Sequence, residues 1–226
     1  MPHSFQKATQ NHQSPVAILT LLIFFFFKAS STTILIPGFD LSSASLDPTN
    51  TGFSITGNAV SDSFGYSVST AGDINGDGYD DLIVGAQRKN GNQGGAYVIY
   101  GRPTSSILNI ALGPTTILDP ATTGFTLSTS GTGQFGFSVS RAGDIDNDGY
   151  DDIIVGSTGY GGKGAAFVIY GGESLTRSHM DFSTMTLDPL TMGFMITGNA
   201  ANDQLGRSVG PAVDINGDGY DDIIVG

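Results

Sequence analysis

Three short acidic runs carry the residues best suited to chemistry. They read Asp73-Ile74-Asn75-Gly76-Asp77-Gly78-Tyr79-Asp80-Asp81, Asp144-Ile145-Asp146-Asn147-Asp148-Gly149-Tyr150-Asp151-Asp152 and Asp214-Ile215-Asn216-Gly217-Asp218-Gly219-Tyr220-Asp221-Asp222. Thirteen of the chain's 21 acidic residues fall inside them. Carboxylates packed this closely repel one another unless a cation sits among them. A merely solvated acidic surface does not demand the fixed spacing that all three runs share.

That spacing suits calcium, which takes six to eight hard oxygen ligands in a flexible shell. Side-chain oxygens stand at positions one, three, five and nine: Asp73, Asn75, Asp77 and Asp81; Asp144, Asp146, Asp148 and Asp152; Asp214, Asn216, Asp218 and Asp222. The seventh-position carbonyls of Tyr79, Tyr150 and Tyr220 can add one ligand each. Glycine at position six (Gly78, Gly149, Gly219) permits the tight positive-φ turn that such wrapping needs. Magnesium fits less well, because it demands rigid octahedra and keeps its waters. An EF-hand needs a Glu at position twelve and then a helix. Here position twelve is Val84, Val155 or Val225, within a β-rich run. The reading is therefore three calcium loops in β-hairpins.

The elements that position the loops are themselves repeated. Phe64-Gly65-Tyr66-Ser67-Val68-Ser69 recurs as Phe135-Gly136-Phe137-Ser138-Val139-Ser140 and, more loosely, as Leu205-Gly206-Arg207-Ser208-Val209. The starts at Phe64, Phe135 and Leu205 set a period of about 70 residues. After each acidic loop comes an apolar run: Leu82-Ile83-Val84-Gly85, Ile153-Ile154-Val155-Gly156 and Ile223-Ile224-Val225-Gly226. Gly95 to Gly101 is matched by Gly164 to Gly171. A last unit appears at Gly52 to Thr56, Gly124 to Ser128 and Gly193 to Thr197. Four strands per period is the arithmetic of a β-propeller blade. Such a repeat completes its core only by stacking on its neighbours. A β-sandwich built from the same strands does not call for a fourfold pattern with its own metal loop.

Composition agrees with an all-β chain. There are 33 glycines, many β-branched and aromatic clusters, and no cysteine, so disulfides and Cys-based metal sites are excluded. A net charge of −12 offers no basic footprint for nucleic acid. The apolar run Val16 to Phe27 is about a dozen residues, which suits a signal-peptide core and is short for a membrane span. Residues 1–31 are accordingly expected to be a cleaved signal or an N-terminal anchor. Either places residues 32–226 outside the cytosol, secreted or at the cell surface, with the membrane reached only through that anchor.

These features resemble the FG-GAP repeats of integrin α-subunit N-terminal β-propellers. Phe64-Gly65 and Phe135-Gly136 match the FG, and Gly85-Ala86 approximates the start of GAP, with Gln87 in place of Pro. Gly156-Ser157 departs further, and Leu205 replaces Phe. The resemblance implies a seven-bladed propeller with calcium in the hairpin between the first two strands of a blade, and with ligands bound on the opposite face. It also implies an extracellular adhesion module with a protein or glycan partner. Repeats are expected at about 64–129, 135–198 and 205–226. That makes a partial propeller of about two and a half blades, which calls for the remaining blades of a longer chain or for other copies. Rival readings are the accessory propeller of a secreted hydrolase, as in a phospholipase D-like protein, and a truncated, non-functional fragment.

No catalytic residue is assigned. Gly206-Arg207-Ser208-Val209-Gly210 fits a nucleophile elbow, but it lies in a repeated strand, with no helix expected after it. Gly159 to Gly164 fits a dinucleotide fingerprint, but a strand follows it. Tyr97, Tyr100 and Tyr170 are expected to pack between blades. His179 is expected in a solvated connector.

Overall fold

The structure is a computed structural model and describes residues 20–24, 52–57, 59, 61–103, 110–112, 118–173 and 178–226. The expectation of a signal or anchor over residues 1–31 lies outside the described residues, apart from Thr20–Phe24.

The described residues are all-β apart from two single-turn segments, at Lys89–Asn92 and Tyr160–Gly162. The first full blade contains β3 (Phe64–Gly72), β4 (Asp81–Ala86), β5 (Gly95–Ile99) and β7 (Gly124–Ser128). The second contains β8 (Phe135–Gly143), β9 (Asp152–Ser157), β10 (Ala165–Ile169) and β12 (Gly193–Thr197). Within each blade these four strands pair antiparallel in that order. A third unit supplies the hairpin β13 (Val209–Val213) and β14 (Asp222–Val225). Ahead of these, β2 (Gly52–Thr56) corresponds to β7 and β12 as an outer strand. Its antiparallel partner is β1 (Thr20–Phe24), in the register that joins β5 to β7: Thr20 faces Thr56 as Gly95 faces Ser128.

Alternation along the strands explains how the blades stack. A strand turns successive side chains to opposite faces. Ile83 joins a cluster with Phe135, Ile153 and Val155 of the second blade, whereas its neighbour Val84 joins Phe53, Ile55 and Phe64 on the other side. Ile154 packs with Ala142, Ala166 and Tyr170 against Val209, Ile223 and Val225 of the third unit. Each full blade is thus buried on both faces, and the units form a partial β-propeller. Phe135 sits at the first junction in edge contact with Phe167 at 5.1 Å. Hydroxyls cross both junctions: Ser67 donates to the Gly136 carbonyl at 2.9 Å, and Ser138 to that of Gly206 at 2.8 Å. Tyr97, Tyr100 and Tyr170 are buried in these clusters.

Two short strands were not announced by the repeat. β6 (Ile110–Ala111) and β11 (Met180–Asp181) come from the long connectors and pair in parallel with the outer strands β2 and β7 of the preceding unit. Met180 and Phe182 then enter the first junction's core. This corrects the solvated reading of His179. Its Nδ1 accepts the Thr126 amide at 3.1 Å, and its Nε2 is buried, because the connector docks on β7 rather than running through solvent.

Candidate metal loops

Each acidic run links the first two strands of its unit: β3 to β4, β8 to β9 and β13 to β14. The local fold follows from hydrogen bonds the runs make to themselves. Asp73 receives the amides of Asp77 at 3.0 Å and Gly78 at 2.9 Å; Asp144 receives those of Asp148 and Gly149, both at 3.0 Å. Asp214 receives Asp218 at 3.1 Å and Gly219 at 3.0 Å. The fifth-position carboxylates of Asp77, Asp148 and Asp218 then accept the amides of Tyr79, Tyr150 and Tyr220. These bonds curl the loop, and Gly78, Gly149 and Gly219 close it at φ of 86°, 91° and 91°.

In the second loop, oxygens at alternate positions are brought together. Ligand atoms of Asp144, Asp146 and Asp152 lie within 4.8 Å of one another. Asp146 Oδ1 is buried without a hydrogen-bond partner, which is costly for a carboxylate oxygen unless something positive reaches it. That orphaned oxygen, with a donor set made only of hard oxygens, fits a calcium ion. The ninth-position residues are the most enclosed. Asp81 and Asp152 are fully buried and bind across the fold: Asp81 accepts Ile74 at 3.1 Å and Gly101 at 2.7 Å, Asp152 accepts Ile145 at 2.7 Å and Gly171 at 2.6 Å. Burial pushes both carboxyls up to about 7, against the pull of those amides and with help from neighbouring loop carboxylates. Burial, then the Asp148 charge, likewise raises Asp146. In the third loop Asp222 accepts Ile215 at 2.8 Å, and the amide of Gly219 first among three donors holds exposed Asp214 low.

The dinucleotide-like motif has the context expected of it, whereas the first three residues of the elbow-like motif precede the strand expected to contain them. Tyr160–Gly162 is a single turn between β9 and β10, with a strand next. Ser208 precedes β13, and no helix follows. The first strand of this unit starts later than in the other copies. Phe64 pairs with Ala86 and Phe135 with Ser157, whereas the pairing of β13 begins with Val209 opposite Val225.

Comparison with known proteins decides the family. A model of the FG-GAP repeat matches residues 64–99, 135–169 and 205–226. The chain belongs to the FG-GAP repeat family. Among curated proteins, this FG-GAP chain is similar to integrin alpha-PS2 of Drosophila melanogaster, at 30% identity over 77% of the chain and 12% of that relative. It is 35% identical to human integrin alpha-IIb over 76% of the chain and 15% of the relative. Human integrin alpha-6 matches at 29% over 83% of the chain and 14% of the relative. The FG-GAP chain therefore spans only 12% to 15% of the length of these relatives.

One recurrent feature escaped the ligand reading. The doublet that ends each loop (Asp80-Asp81, Asp151-Asp152, Asp221-Asp222) carries an eighth-position Asp outside the ligand set. Its presence in all three copies is the available signal; for Asp151 and Asp221 the partner lies one blade away, beyond the reach of a local sequence pattern.

Proposed function

We propose that this FG-GAP chain is a calcium-binding, extracellular β-propeller module for adhesion, taking a protein or glycan ligand on the face opposite its calcium loops. The observation that carries the calcium is the second loop, where the carboxylates of Asp144, Asp146 and Asp152 converge and Asp146 Oδ1 is left orphaned. Asp144, Asp146, Asp148, the Tyr150 carbonyl and Asp152 hold the ion there. Asp73, Asn75, Asp77, the Tyr79 carbonyl and Asp81 do so in the first loop. Asp214, Asn216, Asp218, the Tyr220 carbonyl and Asp222 do so in the third. The ion supplies positive charge that offsets carboxylate repulsion and fixes the hairpin. The protein's own part is to hold the oxygens in place by amide bonds and to bury the ninth-position Asp.

Adhesion, a cell-surface or secreted location and the absence of catalysis rest on similarity to integrin α-subunits. They are proposed for this chain as part of the same reading. Calorimetric titration of the folded chain with calcium tests the metal. Uptake at three sites with affinity on the order of 0.1–1 mM is expected, the range of extracellular modules. A folded chain that takes up no calcium refutes it.

A further inference from the structure

We propose that Asp151 and Asp221 are inter-blade latches, each fixing the first ligand of the preceding calcium loop, so that the loops are coupled along the propeller. The proposal rests on the calcium reading above for its coupling, and on hydrogen bonds alone for the latch.

The contact is reciprocal and occurs twice. The Asp73 amide donates to Asp151 Oδ2 at 2.9 Å, and the Asp151 amide donates back to the Asp73 carbonyl at 3.3 Å. One blade later, the Asp144 amide donates to Asp221 Oδ2 at 3.0 Å, and the Asp221 amide to the Asp144 carbonyl at 3.3 Å. Asp73 and Asp144 are the position-one residues, whose own carboxylates organise their loops. A charged acceptor on an amide makes a stronger hydrogen bond than a neutral one. Asp151 is itself held by Arg141, whose Nε donates to Oδ1 at 2.7 Å.

The receiving side is shaped for the latch. Gly72 and Gly143 precede the position-one Asp at φ of 68° and 91°, and a Cβ on either would fall on the incoming carboxylate. Glycine there serves both the backbone angle and the close approach. The third copy departs from this. Val213 takes the place of Gly72 and Gly143, at φ 58°. A β-branched residue at positive φ is a rare conformation, and its side chain occupies the space a carboxylate needs. Loop 214–222 thus gives a latch through Asp221 and has no seat to receive one.

The test uses the full 226-residue chain with Asp221→Ala, which alters a residue of the third unit and is read on the second. Nitrogen-15 NMR follows hydrogen exchange at the Asp144 amide without calcium, then calcium titration at the amides of Gly149 and Gly78. Exchange at Asp144 is expected to speed up about tenfold, the scale of one charge-assisted hydrogen bond. Calcium affinity at Gly149 is expected to fall several-fold, with Gly78 unchanged. Unaltered exchange at Asp144 overturns the latch. Faster exchange with unaltered affinity at Gly149 overturns the coupling. A wild-type chain that shows the latch in exchange but binds no calcium refutes the metal reading and leaves the latch standing. Asp151→Ala repeats the measurement one blade earlier, at Asp73 and Gly78, and decides the matter if Asp221→Ala fails to fold.

Discussion

The first and third metal loops have the same nine-residue sequence and nearly the same internal hydrogen bonds, yet they sit in different surroundings. Ile74 of the first loop is fully buried, whereas its counterpart Ile215 in the third is 74% exposed. Ile83 and Ile154 are fully buried, and Ile224 in the same strand position is 64% exposed. The carboxyls of Asp81 and Asp152 are fully buried and driven up by that burial, whereas Asp222 at the same loop position is only partly buried. Loop curvature is therefore a local property. Burial, and the proton affinity that follows from it, comes from the blade stacked alongside. Among the described residues no blade covers the outer face of β13–β14.

The largest break in this comparison should come from the cores. Phe135→Ala, at the first junction, is expected to cost about 3–5 kcal/mol, and Ile154→Ala about 2–5 kcal/mol. Ile224→Ala, the same side chain one unit on, should stay within about 0.5 kcal/mol. Urea unfolding of the three variants measures the contrast, and equal losses at Ile154 and Ile224 would mean that the third unit is covered in solution. Calcium comes next. At a hundredfold excess over its dissociation constant, each ligand-bound site adds about 2.7 kcal/mol. Chelation should therefore lower the melting temperature, and Asp77→Ala or Asp148→Ala should remove one site's share.

The pH dependence sharpens the comparison further. Folded Asp81 and Asp152 keep their protons up to about 7, while in the unfolded chain they release them near 4. Between those values the folded state binds more protons, so the calcium-free fold loses stability as pH rises from about 4 to about 7. The loss should be about 4 kcal/mol per group at most, since each pKa unit corresponds to about 1.4 kcal/mol. It should vanish with saturating calcium and shrink when Asp81 or Asp152 is replaced by Asn, in melts run across that range. The smallest effect is expected from Ser208→Ala, which should leave stability within about 0.5 kcal/mol. It should also leave any ester hydrolysis in the preparation unchanged; abolition would reveal a nucleophile.

Much of this was legible in the residues. The period from Phe64 to Phe135 to Leu205, the four runs per unit and the acidic loops between the first two strands are all local patterns. Local patterns survive in sequence because turn geometry and strand alternation act over a few residues. The connectors were not legible. β6 and β11 are two residues each, too short for periodicity, and they form only because an outer strand of the preceding unit offers an open edge. His179 was misread for the same reason, since nothing near it in sequence announces Thr126.

By itself, then, the sequence determined the repeat, the strand pattern and the oxygen-rich loops, because these depend on residue type at short spacing. Only the tertiary structure decided which face each strand buries and which copy's loop is enclosed. It also decided that Asp151 reaches Asp73, a contact 78 residues apart in the chain. Those outcomes depend on a neighbouring blade. The same nine-residue loop becomes enclosed or exposed according to what packs beside it, and no window of sequence around the loop contains that information.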